Sequence, residues 1–384
     1  MLWRILVSTD DGFPRKLLKQ SMKERIAYFD NYTMAHPNLL KAANELMETI
    51  EEPAGASIVF VLGPTGVGKS TLLRRVSQKI IEAYQPKLKE DKGCIPIAGT
   101  EAAAPEIGNF DWKDFYIRSL EALKDPFIEK RKHTPFIHQV NRINPRETKL
   151  KLRLLLEETL RQRKPAAFYV DEAQNLGKVI SGRKLQEQTD CIKSLSNLTG
   201  VQFVLVGTYE LLLLRNLSAQ LCRRSSEIHF PRYQAEADED KQVFRNVVHT
   251  FQKHLPLEEE PELLDIWDFC YERSIGCVGI LKDWLVRTLA GVFKKQGRKA
   301  KLTHQDLEHH AWSLDQCAVM LREAREGEEK LKGSTTETDF RRALGLEIQA
   351  KQKKVKAETG KKAKKQVGKP LPQRRAVGEV EDAG

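Results

Sequence analysis

Residues 63–71 read Gly-Pro-Thr-Gly-Val-Gly-Lys-Ser-Thr, and no other stretch constrains the fold as tightly. The pattern G-x-x-x-x-G-K-[ST] is filled at every fixed position. It lies between an apolar run of strand length, Ser57 to Leu62, and a segment of helical spacing, Thr71 to Ile81. A strand, a glycine turn and a helix N-terminus together present a concave set of backbone N–H groups, which holds phosphates. Gly63, Gly66 and Gly68 let the backbone close around an anion without Cβ clashes, and Pro64, Thr65, Val67 and Thr71 complete the cradle. Lys69 is expected to reach the β- and γ-phosphates of ATP, and Ser70 to ligate Mg²⁺. The alternative, an ordinary glycine turn before a helix, does not account for this flanking context.

Strand signals recur downstream: Cys94–Ala98, Ala166–Val170, Val201–Val206 and Glu227–Phe230. Helical signals lie between them. Asp111 to Leu123 reads as a capped amphipathic helix, with Asp111 as N-cap and Asp114 in the capping-box position. Lys149 to Arg163 reads as a leucine-rich helix with a charged outer face. Strands alternating with helices predict an α/β fold, a parallel sheet covered on both faces. Beyond Gln234 only helices are expected: 238–255, 261–274, 277–296 and 303–332, the last capped by Thr303. The expected domains are a helical N-terminal extension over 1–50, a nucleotide-binding core over 51–233, a helical lid over 234–332, and a linker with a basic tail over 333–384.

The strand ending Tyr169-Val170-Asp171-Glu172 closes on two acids about a hundred residues after the phosphate loop. Asp171 is expected to hold the Mg²⁺ shell, and Glu172 to polarise a water for attack on the γ-phosphate. Thr208, just past the next strand, can hydrogen-bond that water or the γ-phosphate; a satisfied loop threonine is the plainer reading. Arg223 and Arg224 precede the last strand. One of them can serve as an arginine finger in a neighbouring subunit, and a surface pair is the alternative. Lys282, in the helix beginning near Gly276, can reach the γ-phosphate from the lid or simply face solvent.

The chain carries a formal charge of +11, unevenly spread. Residues 347–384 hold eleven Lys/Arg against five Asp/Glu, so that tail is expected to be disordered. An excess of this kind favours a polyanionic partner such as double-stranded DNA. A basic insert before the leucine-rich helix supplies Lys130, Arg131, Lys132, Arg142, Arg146 and Lys149 as candidate phosphate-backbone contacts; a solvated loop is the other reading. No apolar run reaches the roughly 18 residues of a membrane helix, so no membrane partner is expected. The first residues are too short and charged for a signal peptide. The six cysteines form no C-x-x-C pair and are expected to be reduced thiols of a cytoplasmic protein.

In this order the elements resemble the AAA+ ATPases, and within them the TnsC/TniB/MuB-type regulators of Tn-seven-like or CRISPR-associated transposons. The stretches that carry the resemblance are Asn109 to Tyr116, Phe168 to Leu176 with its D-E-A-Q-N run, Val206 to Leu211, and Leu221 to Phe230. It covers roughly residues 25 to 325. The resemblance implies ATP-dependent assembly of a homo-oligomeric ring or filament on DNA. It also implies a link between a TniQ/TnsD-type target selector and transposase subunits. Where relatives often carry asparagine and arginine as nucleotide sensors, this chain offers Thr208 and Lys282. The segment around Thr338–Leu346 is expected to dock on a transposase subunit. A DNA-bound scaffold with little turnover and an origin-binding or signalling ATPase are the competing readings.

Overall fold

The computed structural model describes residues 12–105, 108–123, 148–178, 182–217 and 219–346. Among them, five strands form one sheet: β1 (Ile58–Leu62), β2 (Ile97–Glu101), β3 (Ala167–Asp171), β4 (Gln202–Gly207) and β5 (Ser225–His229). Their spatial order is β2-β3-β4-β1-β5, and every pairing is parallel. The helices of the sheet region are, after α1 (Met22–Asn31), α2 (Pro37–Glu51), α3 (Lys69–Ala83), α4 (Gln85–Glu90), α5 (Trp112–Ala122), α6 (Lys149–Arg163), α7 (Gly182–Thr199), α8 (Leu211–Arg215) and α9 (Ala219–Arg223). Then come α10 (Asp238–His254), α11 (Trp267–Ser274), α12 (Val278–Gln296), α13 (His304–His310), α14 (Leu314–Lys332) and α15 (Glu337–Ala343).

Strand β1 is buried along its whole length, as a central strand covered on both faces must be. Its residues divide by period two. Ile58, Phe60 and Leu62 join a cluster with Phe115 of α5, Leu152 and Leu156 of α6, and Ile192 of α7. Val59 and Val61 belong to the opposite face, in a cluster with the small residues Ala42 and Ala43 of α2 and with Leu72 and Val76 of α3.

The second strand starts three residues later than its sequence signal. Pro96 lacks an N–H and offers only its carbonyl, which accepts from the Ala166 N–H at 2.8 Å. The ladder then runs on through Gly99, Thr100 and Glu101 in register with Tyr169, Val170 and Asp171. The last strand starts two residues early, at Ser225, in register with Ile58. Asp111 caps α5 as expected, accepting from the Lys113 and Asp114 N–H groups. Asp114 instead accepts from Arg118 at 2.7 Å. Leu150, Leu154 and Leu155 are exposed on α6, so its outer face is more apolar than the sequence suggests.

The helical region expected to form the lid has its own core, built on Phe244, Val247 and Phe251 of α10 and Trp284, Leu285 and Leu289 of α12. Phe29 of α1 lies in that core. Arg25 of α1 is 1% exposed; it donates to the carbonyls of Pro256 and Arg298 and lies 4.6 Å over the Phe293 ring. The first helix is thereby built into the lid, whereas α2 packs on the sheet. The span expected to be one helix over 303–332 breaks at Ala311–Ser313. Ser313 exchanges bonds with Gln316, its N–H to Oε1 at 3.0 Å and its Oγ accepting from the Gln316 N–H at 3.2 Å. That local cap starts α14 afresh. Thr303, the expected cap, starts α13 and forms a capping box with Asp306.

The chain divides into a unit over Met1–Leu331 and a second over Lys332–Gly384. The described part of the second unit holds α15, capped by Thr336, with Phe340 and Leu344 exposed one turn apart. Among the described residues no helix is long and apolar enough to cross a membrane. The structure holds the six cysteines as free thiols; four of them, Cys94, Cys270, Cys277 and Cys317, are buried.

Candidate nucleotide site

Parallel strands gather their following loops at one sheet edge, and the crevice there is where such folds bind ligands. The loops after β1, β3 and β4 hold the phosphate loop, the acidic pair and Thr208 respectively. Gly66 and Gly68 take φ of 74° and 112°, a region only glycine enters freely. Gly68 is the residue from which α3 starts, so the first-turn N–H groups of α3 face the loop.

Lys69 is 8% exposed. Its Nζ donates to the carbonyls of Gly63 at 2.9 Å and Pro64 at 2.8 Å. Burial pushes its pKa down to about 8, against the opposing pull of Glu172, Asp171 and Cys277. A buried cation whose hydrogen bonds go to neutral carbonyls is a costly arrangement, and an anion bound on the loop would offset that cost beyond what Glu172 and Asp171 do. Ser70 Oγ donates to Asp171 Oδ2 at 3.0 Å, and Asp171 Oδ1 accepts from the Glu172 N–H at 2.9 Å. A hydroxyl and a carboxylate side by side, beside a phosphate cradle, fit Mg²⁺, which takes few protein oxygens and fills its shell from phosphates and water. Among the described residues no cluster of three or more His, Cys, Asp or Glu is placed to hold a metal ion.

Glu172 takes φ of 50°, a left-handed conformation uncommon outside glycine, and its side chain is exposed beside the loop. Gln174 connects it to Thr208. Its Nε2 donates to Glu172 Oε2 at 2.6 Å, and its Oε1 accepts from the Thr208 N–H at 3.3 Å. Gly207 permits this approach, since a Cβ there would collide with Gln174 Oε1. Sequence reasoning singled out Glu172 and Thr208 but not Gln174. The only signal was its place in the D-E-A-Q-N run, read as a family mark rather than as chemistry.

The lid meets the phosphate loop through backbone. Ile275 and Gly276 take φ of 51° and 78°, and this tight turn aims the start of α12 at the loop. The Ile280 N–H donates to the Gly66 carbonyl at 3.1 Å. Lys282 is not brought to the loop: its Nζ donates to the Asp30 carbonyl at 2.5 Å. Burial lowers its pKa, with Asp30 and Asp283 acting the other way.

Arg223 and Arg224 are exposed and lie before β5, at the sheet edge opposite their own phosphate loop. Five residues of strand, about 16 Å, separate the two edges. Arg224 donates to Asn197 Oδ1 at 3.2 Å. Lys149 is exposed at the start of α6. Lys130, Arg131, Lys132, Arg142 and Arg146 lie outside the described residues.

Residues 52–214 match the AAA domain family. That span contains the phosphate loop, the acidic pair and Thr208, and the five-stranded parallel sheet around it has the P-loop AAA+ fold. Among solved structures the chain is similar to the Walker-type ATPase of Pyrococcus abyssi, at 17% identity over 73% of this chain and 75% of that one, TM-score 0.41. It is similar to the ORC2 protein of Aeropyrum pernix in ADPNP and ADP complexes, at 16% identity over 75% and 72%, TM-score 0.46. It is also similar to the ORC1 protein of Aeropyrum pernix in complex with DNA, at 16% identity over 77% and 68%, TM-score 0.47. No curated protein matches the chain.

Proposed function

We propose that this chain is a Mg²⁺-dependent ATP hydrolase that assembles on duplex DNA and regulates transposition. The observation that carries the hydrolase reading is the convergence of Lys69, Ser70, Asp171, Glu172 and Thr208 at one sheet edge. In this reading Lys69 leaves its loop carbonyls and binds the β- and γ-phosphates. Glu172 accepts the proton of the attacking water. Thr208 fixes that water or the γ-phosphate through its hydroxyl. Mg²⁺, when bound at Ser70 and Asp171, neutralises charge on the phosphate oxygens.

Arg223 or Arg224 completes the site from a neighbouring copy. An arginine at the far sheet edge cannot serve its own loop, but it can be offered to the next subunit of a ring or filament. The DNA and transposition parts rest on the resemblance of the motif stretches and on the +11 charge. Lys149 and the basic insert supply backbone contacts, and TniQ/TnsD-type selectors and transposase subunits are the protein partners, the latter docking at Thr338–Leu346. One observation favours a second reading, a nucleotide-gated scaffold with slow turnover: Lys282 is held by Asp30 rather than directed at the phosphate loop.

Negative-stain imaging with ATP and duplex DNA tests the assembly. Rings or filaments that require both, and are lost in Lys69→Ala, support it. A monomer under every condition removes the neighbouring-arginine and DNA-assembly arguments together.

A further inference from the structure

The geometry points to Gln174 as a positioning residue that holds the Glu172 carboxylate and ties it to the backbone of Thr208; this rests on the hydrolase reading above. The carboxamide spans the two loops with both of its ends in use. Its donor end binds Glu172 Oε2 at 2.6 Å, and its acceptor end takes the Thr208 N–H at 3.3 Å. The β3 and β4 strands that carry these loops are adjacent in the sheet.

Two further features fit a fixed carboxamide. Position 207 is glycine, and a side chain there would occupy the place of Gln174 Oε1. Glu172 sits in a left-handed backbone conformation, so its side chain leaves the strand end at an angle that neighbouring groups must stabilise. Ala173 and Asn175 on either side of Gln174 are buried, and Asn175 Nδ2 donates to the Ala102 carbonyl at 2.8 Å. The short 3-10 turn over Ala173–Gly177 is thereby anchored, and the carboxamide projects from a fixed base.

The consequence is a link between the end of the site that meets the γ-phosphate and the general base. The carboxamide holds the Glu172 carboxylate at a set place relative to the Thr208 backbone. In this role Gln174 acts through Glu172, to which its carboxamide is bonded.

The test compares Gln174→Met and Gln174→Glu with the wild type. Methionine keeps the length and removes both hydrogen bonds; glutamate keeps the shape but sets an acceptor against the Glu172 carboxylate. Both should lower kcat by roughly ten-fold or more, with ATP affinity held within about two-fold. In Gln174→Met without nucleotide, the peptide containing Thr208 should exchange its amide hydrogens faster, because Oε1 no longer protects that N–H. Glu172→Gln combined with Gln174→Met should turn over no more slowly than Glu172→Gln alone, since a residue acting through Glu172 has nothing further to remove. An unchanged kcat in both single variants overturns the proposal, and so does a loss of ATP affinity parallel to kcat. A wild type without Glu172-dependent turnover overturns the hydrolase reading itself. A wild type that turns over normally beside unaffected Gln174→Met and Gln174→Glu overturns only the role assigned to Gln174.

Discussion

The backbone N–H of Ile280 donates to the carbonyl of Gly66 at 3.1 Å, so the first turn of the lid helix α12 rests on the phosphate loop itself. The contact is close because position 279 is glycine: a Cβ there would collide with the Gly66 carbonyl oxygen and crowd its carbon at 3.1 Å. Gly279→Ala should push α12 off the loop and cost about 1–3 kcal/mol of stability in the nucleotide-free protein. Denaturant unfolding measures it; an unchanged midpoint and slope would mean that the lid is not seated on the loop.

Lys69 should be a stability liability as well as a phosphate ligand. Its folded pKa of about 8 lies below the ordinary 10.5 because of burial. The cost therefore falls on the charged form, is fully present below about pH 8, and fades as pH rises toward 10.5. Lys69→Met should raise the stability of the nucleotide-free protein at pH 7 by at most about 3 kcal/mol. The gain should shrink at alkaline pH, and ATP should no longer raise the melting temperature.

His36 places an acid-sensitive group at the junction between the sheet and the helices beyond it. Its Nδ1 pairs with the Tyr233 hydroxyl at 2.9 Å, and Asn38 Nδ2 donates to the Pro231 carbonyl at 3.2 Å. These bonds tie the segment before α2 to the segment after β5, the two crossings between sheet and lid. Burial lowers the His36 pKa from 6.5 to about 4. The folded value lies below the unfolded one, so this contribution is complete above pH 6.5 and is lost as pH falls toward 4. Full loss is worth about 3 kcal/mol. His36→Gln should flatten the fall in stability between neutral and acid pH, measured by denaturant unfolding at each pH.

The buried pair of Arg232 and Glu328 fastens α14 to the segment after β5. Arg232 Nε donates to Glu328 Oε1 at 2.9 Å, and Arg232 Nη1 also reaches the Ile275 carbonyl at 3.3 Å. Removing one partner strands a buried charge, so Glu328→Ala should cost about 3–5 kcal/mol. Arg232→Met with Glu328→Leu should cost much less, because both charges leave together. Thermal unfolding of the wild type and the two variants decides it; equal losses in the single and double variants would contradict the account.

The sheet and the phosphate loop were legible because each depends on local pattern: an apolar run, glycines at fixed spacing, a helix behind them. Asp171 and Glu172 were legible for the same reason, standing at the end of an apolar strand. The strand over Ile97–Glu101 starts later than its apolar residues because Pro96 has no N–H to give, leaving only its carbonyl and the Ile95 N–H bonded toward the β3 side. The seating of α1 in the lid was not legible, since Arg25 and Phe29 find partners more than two hundred residues away. Gln174 and Gly279 escaped for a related reason. Their importance lies in what approaches them from another loop, and a single sequence records no such approach. Lys282 had the right charge at a plausible spacing, yet the turn at Ile275 and Gly276 presents Gly279 and Ile280 to the loop and sends Lys282 toward Asp30.

The gathered residues should hydrolyse ATP with Glu172 as the base. Phosphate release measured with Mg²⁺ and ATP, beside equilibrium ATP binding, tests it for the wild type and Glu172→Gln. Wild-type turnover should fall by roughly 10²-fold or more in the variant, with ATP binding retained. Turnover that survives Glu172→Gln, or a wild type that binds ATP and releases no phosphate, would contradict it.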